Sequence, residues 1–142
     1  MYKTLEEIKQ IVIEMGETID TLEMLYPTYG ATADHARPHI EIHASGVCEG
    51  YNYVVVERGK EIKRNITKDL HELLYLIFYN ITFNMAVDYS KNNRVKDQDF
   101  RRLMWKQQLI MLGNLDPLFA EKCQKEIDEI LKRSPYNDNL DV

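Results

Sequence analysis

The sequence predicts an α+β fold: an N-terminal helix, a three-stranded antiparallel β-meander, and three C-terminal helices packed on the sheet and on each other. Apolar residues recur at helical spacing near both ends of the chain and alternate with polar residues in the middle. The 142 residues, 44% hydrophobic and 29% charged, suit one globular domain that needs no disulfides. We therefore expect a single domain over residues 1–135 and a frayed acidic tail over 136–142.

The chain is expected to open with an amphipathic helix. Thr4 and Glu7 have the spacing of a capping box, in which each side chain satisfies a backbone N–H of the other residue. The apolar positions that follow at helical spacing are Leu5, Ile8, Val12, Met15 and Ile19. A second short helical piece around Leu22 is expected to end before Pro27, because proline disfavours helical geometry in the preceding residue.

Three segments in the middle of the chain predict the sheet. HIEIH, residues 39–43, alternates apolar and polar side chains, as in a strand with one buried face. YNYVVVER, residues 51–58, is rich in aromatic and β-branched residues and predicts a central strand. A turn follows, and the third strand is expected over 61–64. Because a meander this small is marginal alone, helices should cover one of its faces.

The C-terminal half predicts three helices. Residues 70–87 are apolar on nearly all sides, but Glu72, Asn80, Thr82 and Asn84 interrupt the run. Such groups are costly in lipid, so a buried helix is favoured over a membrane span. After a polar loop at 91–98, Gly113 is expected to end the third helix in left-handed geometry. Asp116 and Pro117 then predict the start of the last helix, which should end at Ser134.

Charge is distributed unevenly along the chain. The net charge is −5, but residues 1–26 carry two Lys against six Asp and Glu, whereas residues 27–114 carry twelve basic residues against ten acidic ones. An acidic surface favours a basic protein partner and disfavours nucleic acid. For the locally basic stretch 91–106, we expect Arg101 or Arg102 to pair with a carboxylate and Trp105 to lie in the core.

The cysteines and the amino terminus indicate the compartment. Cys48 and Cys123 form neither a CxxC motif nor a disulfide framework. The first residues, MYKTLEEIKQ, lack the basic and then apolar pattern of a signal peptide. We therefore expect a cytoplasmic protein that does not enter a membrane.

The histidine-rich stretch after Tyr26 raises the question of a metal or catalytic site. The zinc-protease motif HExxH begins at His71, but Tyr75 occupies the place of its second histidine. On a straight strand at about 3.3 Å per residue, His39 and His43 would lie roughly 13 Å apart, too far to share one ion. We expect at most one of them to pair with Glu41, within a solvent-facing polar row. We expect no metal and no cofactor.

Several longer blocks resemble a known family. They are YPTYGATADHARPHIEI, YNYVVVERGKE, KDLHELLYLIFYNITFNMAVDY, QDFRRLMWKQQLIMLGNLDPLFAEK and EIDEILKRSPY. In order and spacing, from about Tyr26 to Tyr136, they are similar to the bacterial immunity protein 63 family. The chain departs from that pattern at His35, where a glycine is expected, and at Leu76, where a tryptophan is expected. The resemblance implies a non-enzymatic protein, encoded beside a polymorphic toxin, that binds and blocks its cognate toxin domain.

A toxin-binding surface should lie on exposed residues outside the blocks that family members share. We expect it on the acidic N-terminal helix and the loop that follows, at Glu6, Glu7, Glu14, Glu17, Glu23, Tyr29, Asp34 and His35. Two other functions stay open. One is a regulatory or adaptor module that binds another protein through the same surface, and the other is a small metal-dependent hydrolase that uses the histidine-rich segment. The oligomeric state stays open as well.

Overall fold

The computed structural model describes residues 1–31 and 37–139. This part of the chain contains α1 (Leu5–Glu17), the 3-10 turn η1 (Glu23–Leu25), β1 (Thr28–Tyr29), β2 (His39–His43), β3 (Gly50–Glu57), β4 (Lys60–Thr67), α2 (Leu70–Asn92), α3 (Phe100–Leu115) and α4 (Pro117–Arg133). The α+β class is confirmed. The chain divides into two compact units, Met1–Phe78 and Tyr79–Val142, and α2 begins in the first unit and continues into the second.

Helix α1 forms as its sequence predicts. The Oγ1 atom of Thr4 accepts a hydrogen bond from the Glu7 N–H at 3.1 Å, and the Glu7 carboxylate accepts one from the Thr4 N–H at 2.9 Å. Ile8, Val12 and Gly16 form its buried face, and the helix packs against β1 and β2. Tyr26 lies directly over Gly16, where an added Cβ would sit 2.7 Å from ring carbon Cε1. This glycine therefore allows the ring to pack on the helix.

The sheet has four strands in the order β1-β2-β3-β4, so the prediction of three strands is wrong. Strands β2, β3 and β4 form the expected antiparallel meander. Strand β1 adds a parallel pairing to β2, in which the Thr28 N–H donates to the Pro38 carbonyl at 3.0 Å and the Gly30 N–H to the Ile40 carbonyl at 2.8 Å. A strand of two residues is too short to show an alternation of apolar and polar residues, so the sequence predicted a loop there.

Strand β4 lies at one edge of the sheet and is longer than the predicted 61–64. Its register with β3 skips Ile62, because Val55 pairs with Lys63 while Val56 pairs with Glu61. This irregularity is a β-bulge, which shifts the face to which the preceding side chains point. Glu61 consequently shares a face with Arg64, three residues away, although a regular strand would place these two side chains on opposite faces.

In the second unit, α3 packs against α4. The prediction that Gly113 ends α3 is wrong, since the helix continues to Leu115 and the Asp116 N–H donates to the Leu112 carbonyl at 2.9 Å. Asp116 is extended, with φ of −164°, and caps α4 through the Leu118 N–H at 2.9 Å. The strong start signal of α4 thus sets the end of α3, and Gly113 stays helical. The predicted cap of α4 at Asp116 is confirmed.

The chain beyond α4 is held against α3 as far as the structure describes it. The side chain of Asp138 accepts hydrogen bonds from the Asp99 N–H at 2.8 Å and from Arg102 Nε at 2.9 Å.

Residues 140–142 lie outside the described part. The single domain over 1–135 and the fraying of 136–142 stay predictions. Among the described residues, no helix is long and apolar enough to cross a membrane.

Candidate functional site

The exposed face of α1 brings four of the predicted partner-binding carboxylates together. At about 100° per residue, Glu6, Glu7, Glu14 and Glu17 fall within an arc of roughly 100° around the helix axis. All four are exposed, and the arc lies opposite the buried face that contains Ile8. The same periodicity that buries the apolar stripe therefore collects the glutamates on the solvent side.

Two of these glutamates, Glu7 and Glu14, have local hydrogen-bond partners, and Glu23 continues the acidic surface beyond α1. The pKa of Glu7 is lowered by its hydrogen bonds with the Thr4 backbone and side chain, which favour the charged form. Glu14 accepts a hydrogen bond from Gln10 Nε2 at 3.0 Å. Glu23 is exposed at the start of η1. The negative charge therefore continues from α1 into η1.

Tyr29 differs from the glutamates because it is partly buried on β1. Its Oη atom is buried and has no hydrogen-bond partner among the described residues. Burial raises the pKa of this phenol well above its usual value, since the charged form is poorly solvated. The last two predicted residues, Asp34 and His35, lie outside the described part of the chain.

A cleft of about 270 Å³ adjoins the acidic face of α1. Lys9 and Ile13 of α1 line one side, and Glu23, the segment 26–29 and Arg37 line the rest. The Nε atom of Arg37 donates to the Tyr26 carbonyl at 2.7 Å, which ties the chain before β2 to the segment before β1. The volume is just below the about 300–1,000 Å³ of typical small-molecule sites.

Glu41, at the centre of β2, holds both neighbouring histidines. Its Oε2 atom lies 2.7 Å from Nε2 of His39, and its Oε1 atom lies 2.8 Å from Nε2 of His43. The expectation that at most one histidine pairs with Glu41 is therefore wrong. Each histidine lies only two residues from Glu41 on the same strand face, and the carboxylate offers a separate oxygen to each ring.

The expectation that His39 faces solvent in a polar row is also wrong, because its side chain is only 6% exposed. An ionised carboxylate only accepts hydrogen bonds. Nε2 of His39 therefore carries a hydrogen and donates the hydrogen bond to Glu41. Its Nδ1 atom is buried and has no hydrogen-bond partner among the described residues. Glu41 thus fixes which ring nitrogen of His39 is protonated.

Arg64 of β4 completes this cluster by reaching across β3. Its Nη1 atom donates to Oε1 of Glu41 at 3.0 Å and to Oδ1 of Asn52 at 2.8 Å. Its Nε and Nη2 atoms donate to the Glu61 carboxylate at 3.0 and 2.7 Å, an ion pair that the bulge at Ile62 makes possible. Sequence reasoning missed Arg64 because only the pairing of all three strands places it beside Glu41.

We call His39, Glu41, His43, Asn52, Glu61 and Arg64 the Glu41 cluster, and its central carboxylate is a weak base. Partial burial by itself would raise the pKa of Glu41, but hydrogen bonds from Arg64, His43 and His39 outweigh it and lower the pKa to about 2. A carboxylate with so low a pKa is a poor proton acceptor near neutral pH. No group of three or more His, Cys, Asp or Glu side chains in the described ranges could hold a metal ion.

The basic stretch at the start of α3 is held by ion pairs. Arg101 contacts the buried Asp99 carboxylate at 3.0 Å, and Arg102 pairs with Asp138 at 2.9 Å. The guanidinium of Arg102 lies 4.0 Å from the centre of the Tyr136 ring. Trp105 is buried. The expected pairing of these arginines with carboxylates and the burial of Trp105 are confirmed.

Comparison with known proteins identifies the family. The family described as Immunity protein 63 matches residues 48–129, more than half of the chain. The chain belongs to the Immunity protein 63 family. No curated protein and no solved structure matches it.

The Immunity protein 63 match covers β3, β4, α2, α3 and most of α4. It leaves out α1, η1, β1 and β2, and therefore the acidic face and the cleft. The Glu41 cluster spans the boundary, since Glu41 lies before residue 48 and Arg64 lies after it. Arg64 thus joins the matched part of the sheet to the strand that precedes it.

Proposed function

We propose that this member of the Immunity protein 63 family protects the bacterial cell that makes it by binding a cognate toxin domain in the cytoplasm and blocking it by direct contact. Family membership is the observation that carries the proposal. Glu41, in the histidine-rich segment, receives hydrogen bonds from three side chains, which supports a structural role for this residue.

We further propose that the acidic face of α1 takes part in toxin binding, together with Glu23, Tyr29 and the segment that contains Asp34 and His35. Residues 1–26 carry a net charge of −4, and this region lies outside the family match. Toxins differ among members of an immunity family, so recognition is expected outside the portion they share. A specific interface needs about 800 Å² from each partner, so we expect the contact to include the adjoining cleft as well as α1.

Co-expression tests the proposed function. The partner for this test is the toxin domain that the proposal expects to be encoded next to this gene, produced in a bacterial host with and without the present protein. We expect growth to be rescued and the two proteins to co-purify. A toxin domain from an unrelated system is the control, and it should stay toxic. Persistent toxicity of the cognate domain in the presence of soluble protein would contradict the proposal.

Charge reversal tests the placement on α1. Glu14→Lys combined with Glu17→Lys should weaken toxin binding at least about tenfold, because two attractive charges become repulsive. Glu57→Lys combined with Glu121→Lys changes the net charge equally at two exposed positions elsewhere and serves as the control. Titration of each variant with the toxin domain gives the dissociation constants. Unchanged affinity in the α1 variant would remove α1 from the interface.

A further inference from the structure

The chain between α1 and β1 exposes two neighbouring apolar side chains. Leu22 is 57% exposed and Met24 is 72% exposed, on either side of Glu23. Scattered exposed apolar residues are normal, whereas contiguous apolar patches with a polar rim mark interaction sites. We call Leu22, Glu23 and Met24 the η1 corner.

Four carboxylates lie in or shortly before the η1 corner along the chain. Glu14, Glu17, Asp20 and Glu23 form no ion pair with a cation among the residues that the structure describes. The sequence contains no Lys or Arg between Gln10 and Ala36. Lys9 and Arg37 line the neighbouring cleft. Residues 1–26 still carry a net charge of −4, so a positively charged surface is favoured at the corner. A second copy of this chain would bring the same negative charge and is disfavoured.

The cleft gives the η1 corner a place for an inserted side chain. Glu23, which separates the two exposed apolar residues in sequence, also lines the cleft of about 270 Å³. Ile13, Tyr26 and Pro27 provide apolar walls. Binding energy in protein interfaces concentrates where a side chain fills such a pocket at the centre of a water-excluding rim.

We propose that the η1 corner and the cleft form the centre of the toxin contact, and that the complementary toxin surface carries an apolar side chain surrounded by Lys and Arg. This inference rests on the proposed function, and it names the energetic centre and the chemistry of the partner. Residues 20–29 lie entirely outside the family match at 48–129, where a partner-specific contact is expected.

Removal of the apolar centre tests this inference. Leu22→Asp combined with Met24→Asp changes two exposed side chains, so the fold should be retained, as circular dichroism and thermal unfolding can confirm. Val47→Asp, at a fully exposed apolar residue in the same unit, is the matched control. With the toxin domain encoded by the adjacent gene as the probe, we expect affinity to fall at least about thirtyfold in the double variant. It should stay within about twofold in the control.

Filling the cleft is an independent test that leaves the exposed residues intact. Thr28→Trp should weaken binding at least about tenfold if a toxin side chain enters the cleft. Wild-type affinity in both the corner variant and the Thr28→Trp variant overturns the inference while leaving the proposed function in place. A wild-type protein that neither binds nor protects overturns the proposed function, and the inference with it.

Discussion

The Glu41 carboxylate is the common hydrogen-bond acceptor for three neighbouring side chains. Its two oxygens receive hydrogen bonds from His39, His43 and Arg64, so its negative charge is shared by three donors. Hydrogen bonds to a charged group are stronger than neutral ones, and they weaken when the carboxylate is protonated. The stability of the sheet should therefore depend on the protonation of this residue.

The sign of that dependence follows from the pKa of Glu41, which is lowered to about 2 from a usual value of about 4.3. Its contribution to stability is complete above about pH 4.3 and is lost as the pH falls toward 2. Glu41→Gln should lower the free energy of unfolding by about 1–3 kcal/mol at pH 7, because charged hydrogen bonds become neutral. The difference from wild type should shrink as the pH falls, as urea unfolding at a series of pH values would show.

Glu14→Gln is the control for this pH dependence. Glu14 is exposed and, among the described residues, accepts a side-chain hydrogen bond from Gln10, so its loss should change stability by less than about 0.5 kcal/mol. If Glu41→Gln tracked the wild type at every pH, the Glu41 cluster would not stabilise the sheet.

At the scale of the helices, two glycines with helical geometry have opposite surroundings. A Cβ on Gly16 would collide with the Tyr26 ring, whereas the nearest atom to a Cβ on Gly113 is the Cβ of Ala120 at an ordinary 3.7 Å. Gly113→Ala should therefore stabilise the protein by about 0.5–1 kcal/mol, the usual gain in a helix. Gly16→Ala should destabilise it by about 1–3 kcal/mol, because Tyr26 must move.

Chemical or thermal unfolding of the two alanine variants measures both effects. Each variant is the control for the other, since the substitution and the helical setting are the same. Equal shifts in the same direction would contradict the close packing of Tyr26 on α1.

The elements that sequence predicts best are those with local signals. The capping box at Thr4 and the Asp116-Pro117 start of α4 depend on residues a few positions apart, and both form as expected. Strand β1 depends on its pairing with β2, so local patterns predicted a loop there. The end of α3 depends on the start of α4, so local patterns placed it too early. The link between Glu41 and Arg64, 23 residues apart, likewise needs the register of three strands and a bulge.

At the scale of the whole molecule, the uneven charge predicts how the proposed complex forms. Because residues 1–26 have a net charge of −4, association with a basic toxin surface should be accelerated by long-range attraction. The association rate constant should fall at least about tenfold between roughly 50 and 500 mM salt, since the Debye length shortens. Stopped-flow mixing with the toxin domain measures it, and the dissociation rate constant should change much less. A salt-independent association rate would contradict the role of this charge.

The family was evident from extended blocks of sequence, because many residues contribute to that resemblance at once. The predicted partner surface had less support, since exposed glutamates on a helix follow from amphipathicity alone. Leu22 and Met24 as an exposed pair became evident only once α1 and η1 were placed, because sequence periodicity assigns apolar residues to the core.

The irregular edge of the sheet affects how copies of the free protein associate with one another. The bulge at Ile62 and the basic residues Lys60, Lys63 and Arg64 interrupt the row of backbone groups that β4 presents at the sheet edge. Bulges and charged side chains at an edge hinder pairing with a strand of another molecule. The proposed function requires the protein to be present before the toxin appears. An edge of this kind disfavours edge-to-edge pairing between copies of the free protein.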